Sequence, residues 1–148
     1  ESFYRGGFVV QDFIPDLKND WKIYYFGDRA YVFNRPVFPK REFRASGGGY
    51  DNYSYGLEAH APEGMLEFGW KIFRTLDIPF VSMDVAWDGN RFYLLEFQCV
   101  YFGTAGILRK YSRIFFRRSE AGWQTSDNEG SIEKTYAYGI AWYLKERS

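Results

Sequence analysis

Two pairs of short apolar runs, each pair separated by a turn signal, constrain the folding of this chain most strongly. WKIYYF and RAYVFNR flank Gly27 and Asp28, and FVSMDVAW and RFYLLEFQ flank Asp88, Gly89 and Asn90. Runs rich in aromatic and β-branched residues around Gly, Asp and Asn are typical of β-hairpins. The sequence therefore predicts two antiparallel hairpins, the first with a two-residue turn and the second with a three-residue loop.

The remaining segments predict a further strand, a loop and three helices. Gly7 to Ile14 reads as a strand, and the Gly- and Ser-rich stretch from Phe43 to Gly56 reads as a loop. Helices are predicted from Pro62 to Asp77, from Ala105 to Phe116, and after Ser131, which suits an N-cap. The apolar faces of the first and last helices are predicted to be Leu66, Gly69, Trp70, Phe73 and Leu76, and Ile132, Tyr136, Ile140 and Tyr143.

These elements predict one α+β domain over residues 1–148, with a mainly antiparallel sheet and helices packed on one side. Nineteen basic residues balance nineteen acidic ones, so no net charge draws the chain to nucleic acid or to an anionic membrane. A single cysteine, Cys99, and a single histidine, His60, do not favour a disulfide, a zinc site or a Cys/His catalytic pair. No apolar run approaches about 18 residues, and we expect a reducing, cytoplasmic setting.

The second hairpin carries acids that its apolar pattern does not explain. A three-residue loop pairs Trp87 with Arg91, which places Asp84 opposite Leu94 and diagonal to Glu96, on one face. Gln98 follows on that face, whereas a two-residue turn would put Asp84 and Glu96 on opposite faces. The other face is predicted to hold the apolar stripe of Val81, Met83, Val85, Trp87, Tyr93, Leu95 and Phe97.

Two carboxylates and an amide oxygen on one face suit a hard cation such as Mg²⁺, which prefers oxygen ligands and often shares them with phosphate. A solvated sheet face with scattered polar residues is the plainer interpretation. Acid and base carboxylates for glycoside chemistry are a third possibility, which requires a sugar-binding cleft.

The first hairpin and the loop after it hold the basic candidates. With Gly27 and Asp28 as the turn, Lys22 and Arg35 share a face, and Asp20 lies opposite Arg35. Lys22 and Arg35 can then clamp an anion, although a surface ion pair is the common alternative. In FRASGGG, Arg44 precedes three glycines whose backbone N–H groups can face a phosphate, although a flexible linker fits as well.

The ordered series VVQDFI, DWKIYYFGDRAYVFNRP, FRASGGG and MDVAWDGNRFYLLEFQ resembles the ATP-grasp superfamily between Gly7 and Gln98. It is similar to the second, C-terminal lobe of the catalytic unit in carboxylate–amine ligases. These include the glutathione synthetase type and the enzymes that add glutamate to a ribosomal protein. The family's first lobe has no counterpart in the 148 residues, so the resemblance implies a fragment whose partner is that N-terminal lobe.

The resemblance implies roles for individual residues. Backbone groups in the adenine-binding hinge correspond to Gln11, Asp12, Phe13 and Ile14, and Asp20 corresponds to an acid at the ribose. Lys22 corresponds to a basic residue that commonly follows in the same strand, and Arg35 and Arg44 correspond to the basic residues near the transferred phosphate and the acyl phosphate. The magnesium ligands correspond to Asp84, Glu96 and Gln98, with Gln98 a departure because Asn is usual there.

The implied activity is Mg²⁺- and ATP-dependent ligation, in which a carboxylate substrate is phosphorylated and an amine or another nucleophile displaces the phosphate. The fragment alone is expected to be inactive. Two alternatives stay open. One is a non-catalytic binding module whose aromatic-rich face holds a glycan or peptide, and the other is a derivative that keeps only the shape of the fold.

Overall fold

A computed structural model of the chain describes residues 10, 12–36, 61–100, 102, 112–128 and 131–148. Its six strands form one antiparallel sheet in the order β4-β3-β1-β2-β5-β6, which confirms the α+β class and the antiparallel pairing. Along the chain the elements are β1 (Asn19–Phe26), β2 (Arg29–Pro36), α1 (Met65–Leu76), β3 (Phe80–Trp87), β4 (Phe92–Gln98), β5 (Ile114–Ser119), β6 (Gly122–Asp127) and α2 (Ile132–Lys145).

The first hairpin forms in the predicted register. Phe26 pairs with Arg29 across the turn, and Asp20 pairs with Arg35 at the far end of the strands. Gly27 adopts a φ of 57°, a left-handed conformation that a β-carbon disfavours. A β-carbon there would also lie 2.7 Å from Cγ of Trp142, so this turn both reverses the chain and receives α2.

The helices pack on both faces of the sheet, so the prediction that they lie on one side is wrong. Tyr24 and Phe26 join a core cluster with Ile132 of α2, whereas Ile23 and Tyr25 join another with α1. Alternate residues of a strand point to opposite faces. Since β1 is apolar on both faces from Ile23 to Phe26, each face needs its own cover.

Helix α1 agrees with its predicted apolar face but begins later than predicted. It starts at Met65, after Gly64 in a left-handed conformation, so Pro62 lies outside the helix. Gly69 and Phe73 are buried against the sheet. The other members of the predicted stripe pack on the same cluster, and these are Leu66, Trp70 and Leu76.

Helix α2 begins after Ser131, as predicted, and the Ser131 hydroxyl accepts a hydrogen bond from the backbone N–H of Lys134. Its buried side is formed by Ile132, Thr135 and Gly139. Ile140 was predicted on that side but is 44% exposed. The buried face is therefore rotated toward small residues, which let the helix approach the sheet closely.

Two predicted elements differ from the structure where it describes them. Ile114 to Phe116 lie in β5, not in a helix, and β6 was not expected; residues 105–111 of that predicted helix lie outside the described residues. Asp12 to Ile14 are not in a strand, while Gln11 and residues 7–9 are outside the description. The predicted loop from Phe43 to Gly56, with Arg44, is outside it too. None of the helices in the described ranges is long and apolar enough to cross a membrane.

Candidate functional site

The acids of the second hairpin share a face, but for a reason that differs from the predicted one. Trp87 pairs with Phe92 rather than with Arg91, so the strands leave the loop in the register of a two-residue turn. That register alone would place Asp84 opposite Leu95 and separate it from Glu96. The register shifts between Asp84 and Val85, however, and Asp84 pairs directly with Glu96. Leu95 is thus the extra residue of a β-bulge, which re-aims the side chains that follow it.

The bulge also changes the predicted apolar stripe. Val81, Met83 and Val85 share one apolar face, as predicted, and this face packs against α1. On β4, Phe92 and Leu94 belong to that side, because they pair with Trp87 and Val85. Tyr93 was predicted in the stripe but pairs with Ala86, on the face of Asp84. We call this face the acid face; it carries Asp20, Lys22, Arg35, Ser82, Asp84, Ala86, Tyr93, Glu96 and Gln98.

Four charged residues from three neighbouring strands meet on the acid face. Arg35 donates from Nε to Oδ1 of Asp20 and from Nη2 to Oδ2 of Asp20, each at 2.7 Å. The same Nη2 lies 2.7 Å from Oδ2 of Asp84, and Nζ of Lys22 lies 2.7 Å from Oδ1 of Asp84. We call these residues the ionic quartet: Asp20, Lys22, Arg35 and Asp84. The sequence predicted the Asp20–Arg35 pairing, and the structure adds that Asp84 joins it.

The ionic quartet is buried, with each member 4–5% exposed. Burial raises the pKa of Asp20, and the hydrogen bond and charge of Arg35 oppose that rise. Burial acts to lower the pKa of Arg35, but hydrogen bonds and charges from Asp20 and Asp84 outweigh it and raise the pKa. Two acids and two bases make a neutral network, and removing one member would leave a buried charge unpaired.

Glu96 and Gln98 lie at the more open side of the same face. Glu96 is exposed and Gln98 is partly buried. Nε2 of Gln98 donates to Oε1 of Glu96 at 2.8 Å, so the two side chains are already in contact. Asp84, the third predicted magnesium ligand, lies directly across the strands from Glu96.

This donor set fits Mg²⁺ in kind, since carboxylate and amide oxygens are the ligands that hard cations take. Both oxygens of Asp84 are in ion pairs with Lys22 and Arg35, so a cation at Asp84 would have to share or replace those contacts. No group of three or more His, Cys, Asp or Glu side chains in the described ranges is placed to hold a metal. A site here would depend on the Gln98 oxygen as its third ligand.

A cavity of about 640 Å³ lies between the segment that precedes β1 and the start of β4. Three residues of the predicted adenine-binding segment line it, namely Asp12, Phe13 and Ile14, while Gln11 is outside the described residues. The opposite wall includes Tyr93 and Leu95 from β4. The cavity therefore brings the predicted adenine-binding segment against the start of β4, whereas the described magnesium-ligand and basic candidates do not line it.

Asp88, Arg91 and Tyr93 are cavity residues that the sequence reasoning missed as site residues. Asp88 accepts hydrogen bonds from the Tyr93 hydroxyl at 2.6 Å and from the backbone N–H groups of Asn90 and Arg91 at 2.8 and 2.9 Å. The Tyr93 hydroxyl first, and then the two backbone N–H groups, lower the pKa of Asp88 to about 2. The Asp-Gly-Asn signal indicated the turn, but only the register places Tyr93 beside it.

Two of the sequence-predicted site residues, Gln11 and Arg44, lie outside the described residues, and the structure brings the others to the acid face or to the cavity. The comparisons with family models, with curated proteins and with solved structures give no match for this chain. The resemblance to ATP-grasp ligases accordingly stays an expectation from the sequence. The geometry of the acid face is the independent observation on which a function can be argued.

Proposed function

We propose that this chain is the nucleotide- and magnesium-binding part of a ligase that uses ATP to activate a carboxylate for attack by an amine or another nucleophile. The observation that carries the proposal is the meeting of Asp84, Glu96 and Gln98 with Lys22 and Arg35 on one sheet face. Metal ligands and phosphate-binding bases must lie side by side in such a site, because the cation and the basic side chains contact the same phosphates.

The ionic quartet supports a functional role because buried ion pairs stabilise a fold less well than apolar side chains in the same place often do. Charged side chains lose hydration on burial, and apolar residues of similar volume often stabilise a fold equally well or better. Most of the other residues in the strands carrying the quartet are apolar, and Ile23, Val32 and Met83 are fully packed. Four charges retained in such strands are readily explained by binding chemistry.

The cavity between the segment before β1 and the start of β4 supports a nucleotide rather than a small anion as the ligand. Its volume of about 640 Å³ falls in the range of small-molecule sites. Phe13, Ile14 and Leu95 form the apolar part of its lining, which suits a purine ring, and the charged part includes Asp12, Asp16, Asp88 and Arg91. The proposal places the base in this cavity and the phosphates toward Lys22 and Arg35.

The chain's own residues would then act by positioning and by charge. Bound Mg²⁺ supplies neutralisation of phosphate charge during transfer. Lys22 and Arg35 hold negative oxygens in place within a poorly hydrated site, where electrostatic contacts are stronger than in water. Glu96, the amide oxygen of Gln98 and Asp84 would hold the cation.

The aromatic binding module draws no comparable support. Most of the rings placed on the sheet faces pack on one another, as Tyr24 does on Phe33 at 5.9 Å and Tyr25 on Phe73 at 5.4 Å. A platform for sugars needs rings that are open to the ligand. The described rings of the two core clusters are used for folding.

The sharpest test is Glu96→Gln, because Glu96 is exposed and lies outside the ionic quartet. We expect isothermal titration or NMR titration to show that Mg²⁺ no longer raises the affinity of the chain for ATP, with a loss of about tenfold or more. The free energy of unfolding should change by less than about 0.5 kcal/mol, as for other surface substitutions.

Glu120→Gln is the matched control, since Glu120 is an exposed acid in the β5–β6 turn, away from the acid face. It should leave the magnesium dependence intact. Equal magnesium-dependent affinity in wild type and Glu96→Gln would contradict the proposal, as would a wild-type chain that binds no ATP at millimolar concentration.

A further inference from the structure

The role of Asp20 follows from its contacts more directly than from the resemblance, which implies an acid at the ribose. Both carboxylate oxygens of Asp20 accept hydrogen bonds from Arg35, one from Nε and one from Nη2. Asp20 and Arg35 are buried to a similar degree, at 5% and 4% exposed, so the two-pronged contact and not exposure distinguishes their roles. A sugar hydroxyl would have to displace part of a two-pronged ion pair inside the protein to reach it.

The backbone supports this pairing independently of the side-chain contacts. Asp20 and Arg35 are directly opposed in the antiparallel ladder of β1 and β2, where facing side chains are closest. A carboxylate that accepts from two guanidinium N–H groups fixes the plane of the guanidinium as well as its position. Asp20 therefore determines the plane in which the Arg35 guanidinium lies.

Arg35 is fixed at a second point that belongs to the proposed site. Its Nη2 also lies 2.7 Å from Oδ2 of Asp84, the acid whose other oxygen contacts Lys22. The guanidinium thus bridges Asp20 to the proposed magnesium ligand. A change at Asp20 is transmitted to the phosphate-binding side of the site through Arg35.

We infer that Asp20 is a positioning residue that orients Arg35 beside Asp84 for contact with phosphate oxygens, and that it is not a ligand of the ribose. This inference rests on the proposed function for the identity of the ligand. The orientation of Arg35 by Asp20 can be measured without any ligand.

The ligand-free measurement is the NMR signal of the Arg35 Nε–H group in wild type and in Asp20→Asn. We expect a protected, shifted signal in wild type that moves toward the position of a solvated arginine in the variant. A double-mutant cycle of Asp20→Asn with Arg35→Lys should show coupling of about tenfold in the unfolding equilibrium constant. An unchanged Nε–H signal, or additive effects in the cycle, would overturn the inference whatever the binding experiments give.

The binding measurement separates the two ends of the nucleotide with adenosine and with tripolyphosphate plus Mg²⁺, each titrated into the 148-residue chain by NMR. Asp20→Asn should weaken tripolyphosphate binding by tenfold or more and leave adenosine binding within twofold of wild type. The opposite pattern, with adenosine weakened and tripolyphosphate unchanged, assigns Asp20 to the ribose and overturns the inference while the proposed function stands. If Asp20→Asn weakens neither adenosine binding nor tripolyphosphate binding, the inference is also overturned, because the Asp20–Arg35 ion pair would then have only a structural role.

Arg35→Lys gives a second route if Asp20→Asn does not fold. It keeps the positive charge but cannot make the two-pronged contact. Tripolyphosphate affinity should fall by a similar factor, and unchanged affinity would overturn the inference. A wild-type chain that binds neither probe contradicts the proposed function, and the Nε–H signal still decides the positioning of Arg35.

Discussion

At the scale of single residues, the acid face and the cavity hold two kinds of carboxylate. Asp20 is buried, and burial raises its pKa. Asp88 lies at the surface, where hydrogen bonds from Tyr93 and from two backbone N–H groups lower its pKa to about 2. The contrast follows from what surrounds the charge, since loss of water disfavours the ionised form and donated hydrogen bonds favour it.

We predict that Asp88 titrates in the folded chain with a midpoint near pH 2, as measured by the ¹³C signal of its carboxyl carbon. Because the folded-state pKa lies below the ordinary value of 3.8, ionised Asp88 stabilises the fold above about pH 4. That contribution is lost as the pH falls through the folded-state pKa.

Tyr93→Phe removes the hydroxyl whose hydrogen bond contributes most to the lowered pKa of Asp88. The titration midpoint of Asp88 should therefore move upward, toward the ordinary value. Tyr143→Phe is the matched control, because it removes a hydroxyl that donates to the backbone oxygen of Asp77 instead. A midpoint that does not respond to Tyr93→Phe would show that the Tyr93–Asp88 hydrogen bond is absent in solution.

At the scale of elements, close approach between helix and sheet depends on small residues at defined positions. Gly69 of α1 is buried over Tyr25, whose hydroxyl donates to the backbone oxygen of Leu66 at 2.7 Å. Gly139 of α2 lies where an added β-carbon would be 3.0 Å from the backbone oxygen of Pro79. Both glycines lower helix propensity. In return, the absence of a side chain lets each helix pack closer to the sheet.

We predict that Gly69→Ala destabilises the chain, although Ala exceeds Gly in helix propensity by about 1 kcal/mol. The new β-carbon would lie 2.5 Å from the Tyr25 hydroxyl oxygen, and Tyr25 is fully buried and stacked on Phe73. The free energy of unfolding should fall by roughly 1–3 kcal/mol, as in other overpacked cores, measured by urea denaturation.

Tyr25→Phe supplies the control for this clash, since it removes the atom nearest to the added methyl group. Gly69→Ala should lower the free energy of unfolding by less in the Tyr25→Phe background than in wild type. A stabilising effect of Gly69→Ala in the wild-type background would mean that the helix shifts to accommodate it without loss.

At the scale of the whole molecule, the sheet is apolar on both faces near its centre and charged at one end of the acid face. One core cluster packs against α1 and the other against α2, and the ionic quartet lies beyond the second cluster along the strands. The apolar clusters stabilise the fold, whereas the quartet adds charges whose burial is costly. Folding and proposed binding are thus assigned to different parts of one sheet.

We predict that replacing the whole ionic quartet by apolar residues, as in Asp20→Leu, Lys22→Met, Arg35→Met and Asp84→Leu together, leaves the free energy of unfolding unchanged or raises it by about 1–4 kcal/mol. Lys22→Met alone should lower it by about 3 kcal/mol, because it removes one of the two cations paired with buried Asp84. Thermal and urea unfolding measure the stability of the quadruple variant and of Lys22→Met against wild type. A quadruple variant much less stable than wild type would assign the quartet to folding.

The sequence alone determined the features that depend on neighbouring residues. Alternation in β1 and β2 with a two-residue turn determines which residues pair, so the Asp20–Arg35 pairing was predictable. The N-cap at Ser131 and the apolar face of α1 were predictable for the same reason. Turn geometry, strand parity and helix periodicity act over a few residues and need no information from elsewhere in the chain.

Tertiary structure alone decided the features that depend on distant neighbours. The bulge at Leu95 brings Asp84 opposite Glu96 although the turn register would separate them, and nothing in the β4 sequence marks its position. Ile114 to Phe116 form a strand because all three pair with β6 and Phe116 also pairs with β2. Both helices are needed because each face of β1 must be covered. Backbone hydrogen bonding and burial are satisfied only by the assembled sheet, and they override the local pattern wherever the two disagree.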